Sequence, residues 1–179
     1  MFYTGARIEE LAQLLVSEVK QASDGIHYLS ILESTDDADA GRTVKNAGSR
    51  RRIPLHADVV ARGFLDYVDS FPAGSRLFPA LEPCPKGRYS TNFGKRWSAY
   101  LRDTVHLISP AYPAHGFRHT FKTEARKVKM SEEVHDAITG HADGSIGRTY
   151  GEMPLSVMAS ELARIPSISE IIERARSAG

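Results

Sequence analysis

Four residues in the second half of the chain combine a nucleophile with cationic groups. His115 and Arg118 lie in the segment His-Gly-Phe-Arg-His-Thr-Phe, His141 follows Gly140, and Tyr150 comes nine residues later. Attack of a phenol on a phosphodiester needs nearby donors, because negative charge builds on the phosphate oxygens. The set is compatible with attack of the Tyr150 phenol on a phosphodiester, and the rest of the sequence is needed to support or exclude that chemistry.

The length and composition bound the class of protein. A chain of 179 residues suits a single domain over 1–179, which buries about two thirds of its unfolded surface. Cys84 is the sole cysteine, so an intramolecular disulfide is excluded. The first residues lack the basic and apolar segments of a signal peptide, and no long apolar run follows. We expect a cytoplasmic protein without a membrane span.

Charge is distributed unevenly along the chain. Residues 41–130 carry 17 basic and 6 acidic residues, whereas both flanking segments are acidic. The densest basic points are 50–52, 95–96 and 126–129. Such clustering predicts a polyanion-binding surface, and an ordinary solvated face is the alternative.

The hydrophobic pattern predicts an α+β fold, mainly α-helical with a small three-stranded antiparallel sheet. The apolar spacing after Ala6 indicates a helix over 6–16. The strands are predicted over 26–32, 42–47 and 50–55, with turn residues at 46–49 that favour a hairpin. The remaining helices are predicted over 57–69, 90–105, 115–128, 131–139, 155–164 and 167–177.

The predicted helix over 115–128 separates a core face from a polar face. Helical spacing assigns four residues to the core face: Phe117, Phe121, Ala125 and Val128. His115, Arg118 and Lys122 share the other face, so they can converge on one ligand.

His141 is predicted to lie just past a helix end. Ser131 is a favourable N-cap for the preceding helix, and Gly140 suits its C′ position. This placement makes His141 a rigid donor. The alternative interpretation is that His115 and His141 are ordinary core histidines.

A zinc site built from histidines is a weaker hypothesis. His115 and His119 have the helical spacing of such sites, with His135 and His141 as further candidates. The glutamate of an HExxH motif is missing, and one cysteine supplies no pair. We therefore predict no metal and no other cofactor.

Taken together, the motifs resemble the catalytic domain of the tyrosine recombinases, the phage integrase family. Most of the chain takes part in this resemblance, through five boxes in family order: Tyr3–Leu11 with Arg7, Lys45 ahead of 52–55, His115–Arg118, Thr139–His141 and Tyr150. Thr139 departs from the leucine that is common at its position. The resemblance implies the family's catalytic-domain fold.

The resemblance also implies a role for each catalytic residue. Free tyrosine has a pKa near 10, so Tyr150 needs a proton acceptor, which His115 would supply. Arg7 and Arg118 would clamp the non-bridging phosphate oxygens. The two remaining roles are protonation of the departing 5′ oxygen by Lys45 and donation of a hydrogen bond to phosphate by His141. Glu10 would hold an active-site arginine.

The expected partners are double-stranded DNA and further copies of the chain. Five basic residues are predicted to contact the DNA backbone, with plain solvent exposure as the alternative: Arg50, Arg51, Lys95, Arg96 and Lys122. In the family a C-terminal helix docks on the neighbouring protomer, which predicts a homo-oligomer on DNA. Packing of that helix on its own chain is the alternative.

The implied activity is site-specific DNA recombination through a 3′-phosphotyrosyl intermediate, in a protein of phage or mobile-element origin. DNA relaxation of the type IB topoisomerase kind is a second interpretation. A third is a truncated, recombination-defective integrase remnant. It follows from the expectation that the domain's first helix and the amino-terminal DNA-clasping domain, which precede Arg7 in the family, are absent.

Overall fold

The computed structural model describes residues 1–31, 50–107, 113–141 and 152–177. These residues form eight helices, a short 3₁₀ turn (Val16–Glu18) and three strands. The strands are β1 (Val19–Gln21), β2 (His27–Ile31) and β3 (Arg51–Pro54). The helices are α1 (Ile8–Ala12), α2 (Ala57–Ala61), α3 (Phe64–Asp69), α4 (Tyr89–Asp103), α5 (Pro113–Lys127), α6 (Glu132–Thr139), α7 (Leu155–Leu162) and α8 (Ile168–Ser177). The predicted α+β class with a predominance of helix is confirmed.

The sheet is antiparallel with the strand order β1-β2-β3. Leu29 lies opposite Val19 on one side and Ile53 on the other, so these apolar residues share one face. The strands predicted over 26–32 and 50–55 are confirmed. β1 was not predicted, because three residues are too few for a period-two pattern. The strand predicted over 42–47 lies outside the described residues.

Two predicted helices are divided or shortened. The helix predicted over 6–16 ends at Ala12, because the chain turns at Gln13 and then enters the 3₁₀ turn. The helix predicted over 57–69 is two helices, since Gly63 adopts a left-handed φ of 81° between α2 and α3. The other helices match their predicted positions to within two residues.

One core joins the sheet to the helices that carry the candidate site. Its fully buried members include Leu14, Ile31, Ile53, Leu77, Phe121, Ile138 and Leu162. Phe121 of α5 and Ile138 of α6 therefore pack against the same apolar centre as β2 and β3. The prediction that Phe117 belongs to the core face is wrong, because its ring is exposed near the start of α5, where it lies tilted against the ring of Trp97 of α4.

Within the described ranges, no helix is both long enough and apolar enough to cross a lipid bilayer.

Candidate active site

The start of α1 holds Arg7 in place through Glu10. One carboxylate oxygen of Glu10 accepts the backbone N–H of Arg7 at 2.7 Å, and the other accepts from Arg7 Nη1 at 2.8 Å. The Glu10 side chain is 6% exposed and that of Arg7 is 37% exposed. The arginine is therefore oriented by a buried anion while its guanidinium stays accessible.

Arg51 is the second arginine bound by Glu10, and its side chain is buried rather than exposed as the predicted contact with DNA requires. Arg51 Nη2 lies 2.8 Å from Glu10 Oε2, and Arg51 Nε donates to the Ile138 carbonyl at 2.7 Å. Its side chain is only 6% exposed. Alternate residues of a strand point to opposite faces, so Arg51 turns inward while its neighbours Arg50 and Arg52 lie nearer the surface. Arg51 thus ties β3 to α1 and α6.

Arg118 is a buried cation on α5. Its Nη1 donates to the carbonyls of Gly5 and Thr139, at 3.0 Å for Thr139, and its Nη2 lies 3.1 Å from His141 Nδ1. None of its described partners is a carboxylate. Burial, and then the positive charge of Arg7, lower the pKa of Arg118 to about 10. A charge in this position is costly unless an anion joins it.

Gly5 permits the close approach that brings the first box to Arg118. Its φ is 53°, and a Cβ at this position would lie 2.7 Å from both Phe121 Cδ1 and Thr139 Cγ2. Any larger residue would push the amino-terminal turn away from α5 and α6. The Gly5 carbonyl would then no longer reach Arg118.

The predicted placement of His141 at a helix end is confirmed. The Ser131 side chain accepts the Val134 N–H at 3.3 Å and caps α6. At the other end, Gly140 is left-handed with φ 66°, and a Cβ there would lie 2.8 Å from Arg51 Nη1. The turn delivers His141 beside Arg118, with its backbone N–H bonded to the Asp136 carbonyl.

The His141 ring touches two side chains of the site. Thr139 Oγ1 lies 2.8 Å from Nδ1, and Arg118 Nη2 lies 3.1 Å from Nδ1 and 3.4 Å from Nε2. Partial burial, followed by the charges of Arg118 and Lys122, keeps the pKa of His141 below its ordinary value. The ring is therefore neutral at pH 7.

His115 stands one helical turn before Arg118 on the same face of α5. His115 is largely exposed. The part of its imidazole that is buried lowers its pKa, and the charges of His119, Arg118 and Arg7 lower it further. A neutral imidazole among cations can accept a proton at pH 7. Its ring packs edge-on against that of His119, with centroids 5.1 Å apart.

A cavity of about 670 Å³ opens beside His115, between α1, α4 and α5. Its lining includes Ile8, Lys95, Ala99, Arg102 and Ala114. Lys95 and Arg96 of α4 are exposed, as is Arg50 ahead of β3, whereas Lys122 is half-buried. The exposed positions are compatible with the predicted DNA contacts.

Two predicted catalytic residues, Lys45 and Tyr150, lie outside the described residues. The structure brings together Arg7, Glu10, His115, Arg118 and His141. His115, His119, His135 and His141 form no cluster of three metal-ligating side chains within the described part of the chain.

Two residues that border the site were not predicted. Glu9 accepts the backbone N–H groups of Tyr89 at 3.0 Å and Ser90 at 2.8 Å, and so caps α4 from α1. Thr139 is fully buried and contacts both Arg118 and His141. The sequence signal that could have identified Thr139 is its hydroxyl, because the family motif that this segment resembles commonly has leucine at that position.

No protein-family model, characterised protein or solved structure matches this chain. The functional assignment therefore depends on the motifs and on the geometry of these side chains.

Proposed function

We propose that this protein cleaves and rejoins DNA by tyrosine recombinase chemistry, with Tyr150 as the nucleophile and with the catalytic-domain fold of that family. The observation that carries the proposal is the buried guanidinium of Arg118, which has carbonyl and imidazole partners but no described carboxylate. A bound phosphate would supply the missing negative charge.

Arg118 and Arg7 support this assignment, because each guanidinium is held by hydrogen bonds on one side and can donate to a phosphate on the other. Arg118 Nη1 is engaged by two carbonyls and Nη2 lies beside the His141 ring, so the second N–H of Nη2 and the N–H of Nε are the proposed donors to a phosphate oxygen. Arg7 is held at one end by Glu10 and is accessible at the other. Two oriented guanidinium groups suit the charge that builds in a pentavalent transition state.

The histidines support proton transfer at neutral pH. Tyr150 must lose its phenolic proton as its oxygen bonds to phosphorus, and neutral His115 is the proposed acceptor. The bond from phosphorus to the 5′ oxygen then breaks, and Lys45 donates a proton to that oxygen. His141 donates a hydrogen bond to a non-bridging oxygen. These steps yield a 3′-phosphotyrosyl DNA and a free 5′-hydroxyl.

The covalent intermediate conserves the energy of the broken bond. A 5′-hydroxyl from another strand attacks the phosphotyrosyl bond, releases Tyr150 and takes its place. Strand exchange therefore needs no nucleotide cofactor, and site-specific recombination or integration is the proposed outcome.

Double-stranded DNA is the proposed partner, and the exposed cations of α4 support it. Lys95 and Arg96 lie on the helix that borders the cavity beside His115, so a duplex bound there would pass close to Arg7 and Arg118. Ile168 and Ile172 are exposed on α8, which supports docking of this helix on another copy of the chain.

A covalent trapping experiment tests the proposal. The full chain is incubated with a library of nicked, 5′-labelled duplexes, in which cleavage releases a short fragment and prevents religation. Denaturing electrophoresis should show a protein–DNA adduct, and peptide mapping should place the DNA on Tyr150. Tyr150→Phe should form none, whereas the control Tyr28→Phe, on β2, should form as much as the wild type.

Equal trapping by Tyr150→Phe would defeat the assignment. A supercoiled plasmid separates the outcomes further, because relaxation without strand exchange would indicate activity of the type IB topoisomerase kind.

A further inference from the structure

Thr139, the last residue of α6, lies between the two motifs that build the site. Its side chain is fully buried, its Oγ1 is 2.8 Å from His141 Nδ1, and its carbonyl accepts from Arg118 Nη1 at 3.0 Å. Its methyl group packs on Gly5. A single residue thus contacts the amino-terminal turn, the buried arginine and the exposed histidine.

We propose that Thr139 is a positioning residue that holds His141 in the neutral tautomer with its proton on Nε2. The catalytic significance of this tautomer rests on the proposed function.

The direction of the Thr139 hydrogen bond follows from the inventory of donors. A buried hydroxyl must place its proton on an acceptor, and His141 Nδ1 is the partner that Thr139 Oγ1 has in the described part of the chain. Nδ1 has a single acceptor lone pair, and the Thr139 hydroxyl at 2.8 Å is the donor that occupies it. Arg118 Nη2, at 3.1 Å from Nδ1 and 3.4 Å from Nε2, places a positive charge beside the ring.

A neutral imidazole that accepts at Nδ1 carries its hydrogen on Nε2. The charges that face the ring favour this neutral form. Arg118, Lys122 and His135 disfavour a positive ring, and together with burial they outweigh the opposite effect of Asp136. The Nε2–H group then has no acceptor among the described residues and can donate to a phosphate oxygen.

The functional consequence is that the His141 imidazole keeps one orientation and always presents Nε2–H as its donor. Without the Thr139 hydroxyl, the two ring nitrogens compete for the proton and the ring loses its anchor at Nδ1. In the fraction of molecules that carry the proton on Nδ1, a phosphate oxygen faces the lone pair of Nε2 and receives no hydrogen bond. We expect the rate of the chemical step to fall, whereas the affinity for DNA, which is proposed to depend on the exposed cations of α4, should not change.

The test compares Thr139→Val, which removes the hydroxyl at nearly constant volume, with Thr139→Ser, which retains it. Thr123→Val is the matched control, because the Thr123 hydroxyl bonds to the His119 carbonyl of its own helix. ¹⁵N NMR of the imidazole groups, with His141 assigned through His141→Gln, reports the tautomer. Single-turnover adduct formation reports the rate and the apparent KM for DNA.

We expect wild type, Thr139→Ser and Thr123→Val to show the Nε2–H tautomer, and Thr139→Val to show a mixture of tautomers. Thr139→Val should slow adduct formation about tenfold at unchanged KM, which is the size expected for one lost orienting hydrogen bond. Thr139→Ser should restore most of the rate.

An unchanged His141 spectrum in folded Thr139→Val would overturn the proposal. The NMR comparison requires no DNA and no turnover. Absence of an adduct with the wild type would therefore count against the proposed function, while the tautomer would still decide the role of Thr139.

Discussion

Glu10 and Arg51 form a buried ion pair, with Glu10 Oε2 2.8 Å from Arg51 Nη2 and both side chains 6% exposed. The same carboxylate receives Nη1 of Arg7. One anion therefore neutralises an arginine of the core and orients an arginine of the candidate site. The Glu10 carboxylate therefore contributes to the stability of the fold and also to the proposed binding of phosphate.

Substitution of Glu10 by glutamine should strongly destabilise the fold. Arg51 would keep its charge in a buried position without the carboxylate of Glu10, and breaking a buried pair in this way costs about 3–5 kcal/mol. Denaturant unfolding measures the loss. Glu161→Gln, which breaks the more exposed pair with Arg164, should cost at most about 1 kcal/mol. Equal losses in the two variants would contradict the structural role of Glu10.

The same pair predicts acid sensitivity. Burial opposes ionisation of Glu10, but the hydrogen bond and charge of Arg51 and the hydrogen bonds from Arg7 hold its pKa below the ordinary value. A depressed carboxyl pKa contributes stability that is present above the unfolded-state value of about 4.3 and is lost as the pH falls through the folded-state value. Glu10→Gln should lack this part of the pH dependence.

The contrast between Arg50 and Arg51 shows where sequence reasoning ends. The charge count identifies a basic run but does not reveal that Arg51 faces Glu10, because the partner is 41 residues away. Local signals were sufficient for α5, α6 and the cap that places His141. Partners distant in the chain, such as the Glu9 carboxylate and the Tyr89 N–H group, have no periodic or spacing signal.

Substitution of Arg118 by lysine should impair cleavage more than DNA binding. Lysine retains the charge, but a single ammonium cannot bond the Gly5 and Thr139 carbonyls and a phosphate oxygen in the same planar arrangement. We expect the single-turnover rate of adduct formation to fall about 10²–10³-fold, as for loss of a transition-state donor. The apparent KM for DNA should change much less.

The control for this substitution is Arg164→Lys, which alters a pair with Glu161 near the end of α7, outside the five boxes. Its adduct rate should equal that of the wild type. A KM effect without a rate effect in Arg118→Lys would show that Arg118 binds DNA but does not stabilise the transition state.

Substitution of Glu9 by alanine should loosen α4 and weaken DNA binding. Both carboxylate oxygens of Glu9 accept N–H groups in the first turn of α4, which has no side-chain cap of its own. Loss of a helix cap costs about 0.5–2 kcal/mol. Because α4 carries Lys95 and Arg96, its displacement should also lower DNA affinity in a fluorescence anisotropy titration.

Glu132→Ala is the matched control, because Glu132 is an exposed glutamate in the first turn of α6 and bonds no N–H group of another described element. This variant should retain DNA affinity and lose little stability. Unaltered affinity in a folded Glu9→Ala variant would show that the cap does not position the cations of α4.

His56 should make the fold less stable as the pH falls from 7 towards 5. Its Nδ1 accepts the Asp58 N–H at 3.1 Å, its Nε2 lies 2.9 Å from the Ile165 carbonyl, and its ring stacks on Tyr3 at 4.0 Å. With a donor at Nε2 and an acceptor at Nδ1, the buried ring is satisfied only when it is neutral. Burial lowers the pKa of His56 against the opposite effects of the Ile165 carbonyl, Asp58 and Glu170.

The sign of the effect follows from proton uptake. Below about pH 6.5, His56 takes up a proton in the unfolded chain but stays neutral in the folded protein. The free energy of unfolding therefore decreases by at most about 1.4 kcal/mol for each unit by which the pH is lowered, for this one proton. His56→Asn retains an acceptor for the Asp58 N–H group but cannot titrate. Its unfolding free energy should start lower at pH 7, because the bond to Ile165 is lost, and should fall less between pH 7 and 5. A wild-type slope in His56→Asn would contradict the neutral, buried state of His56.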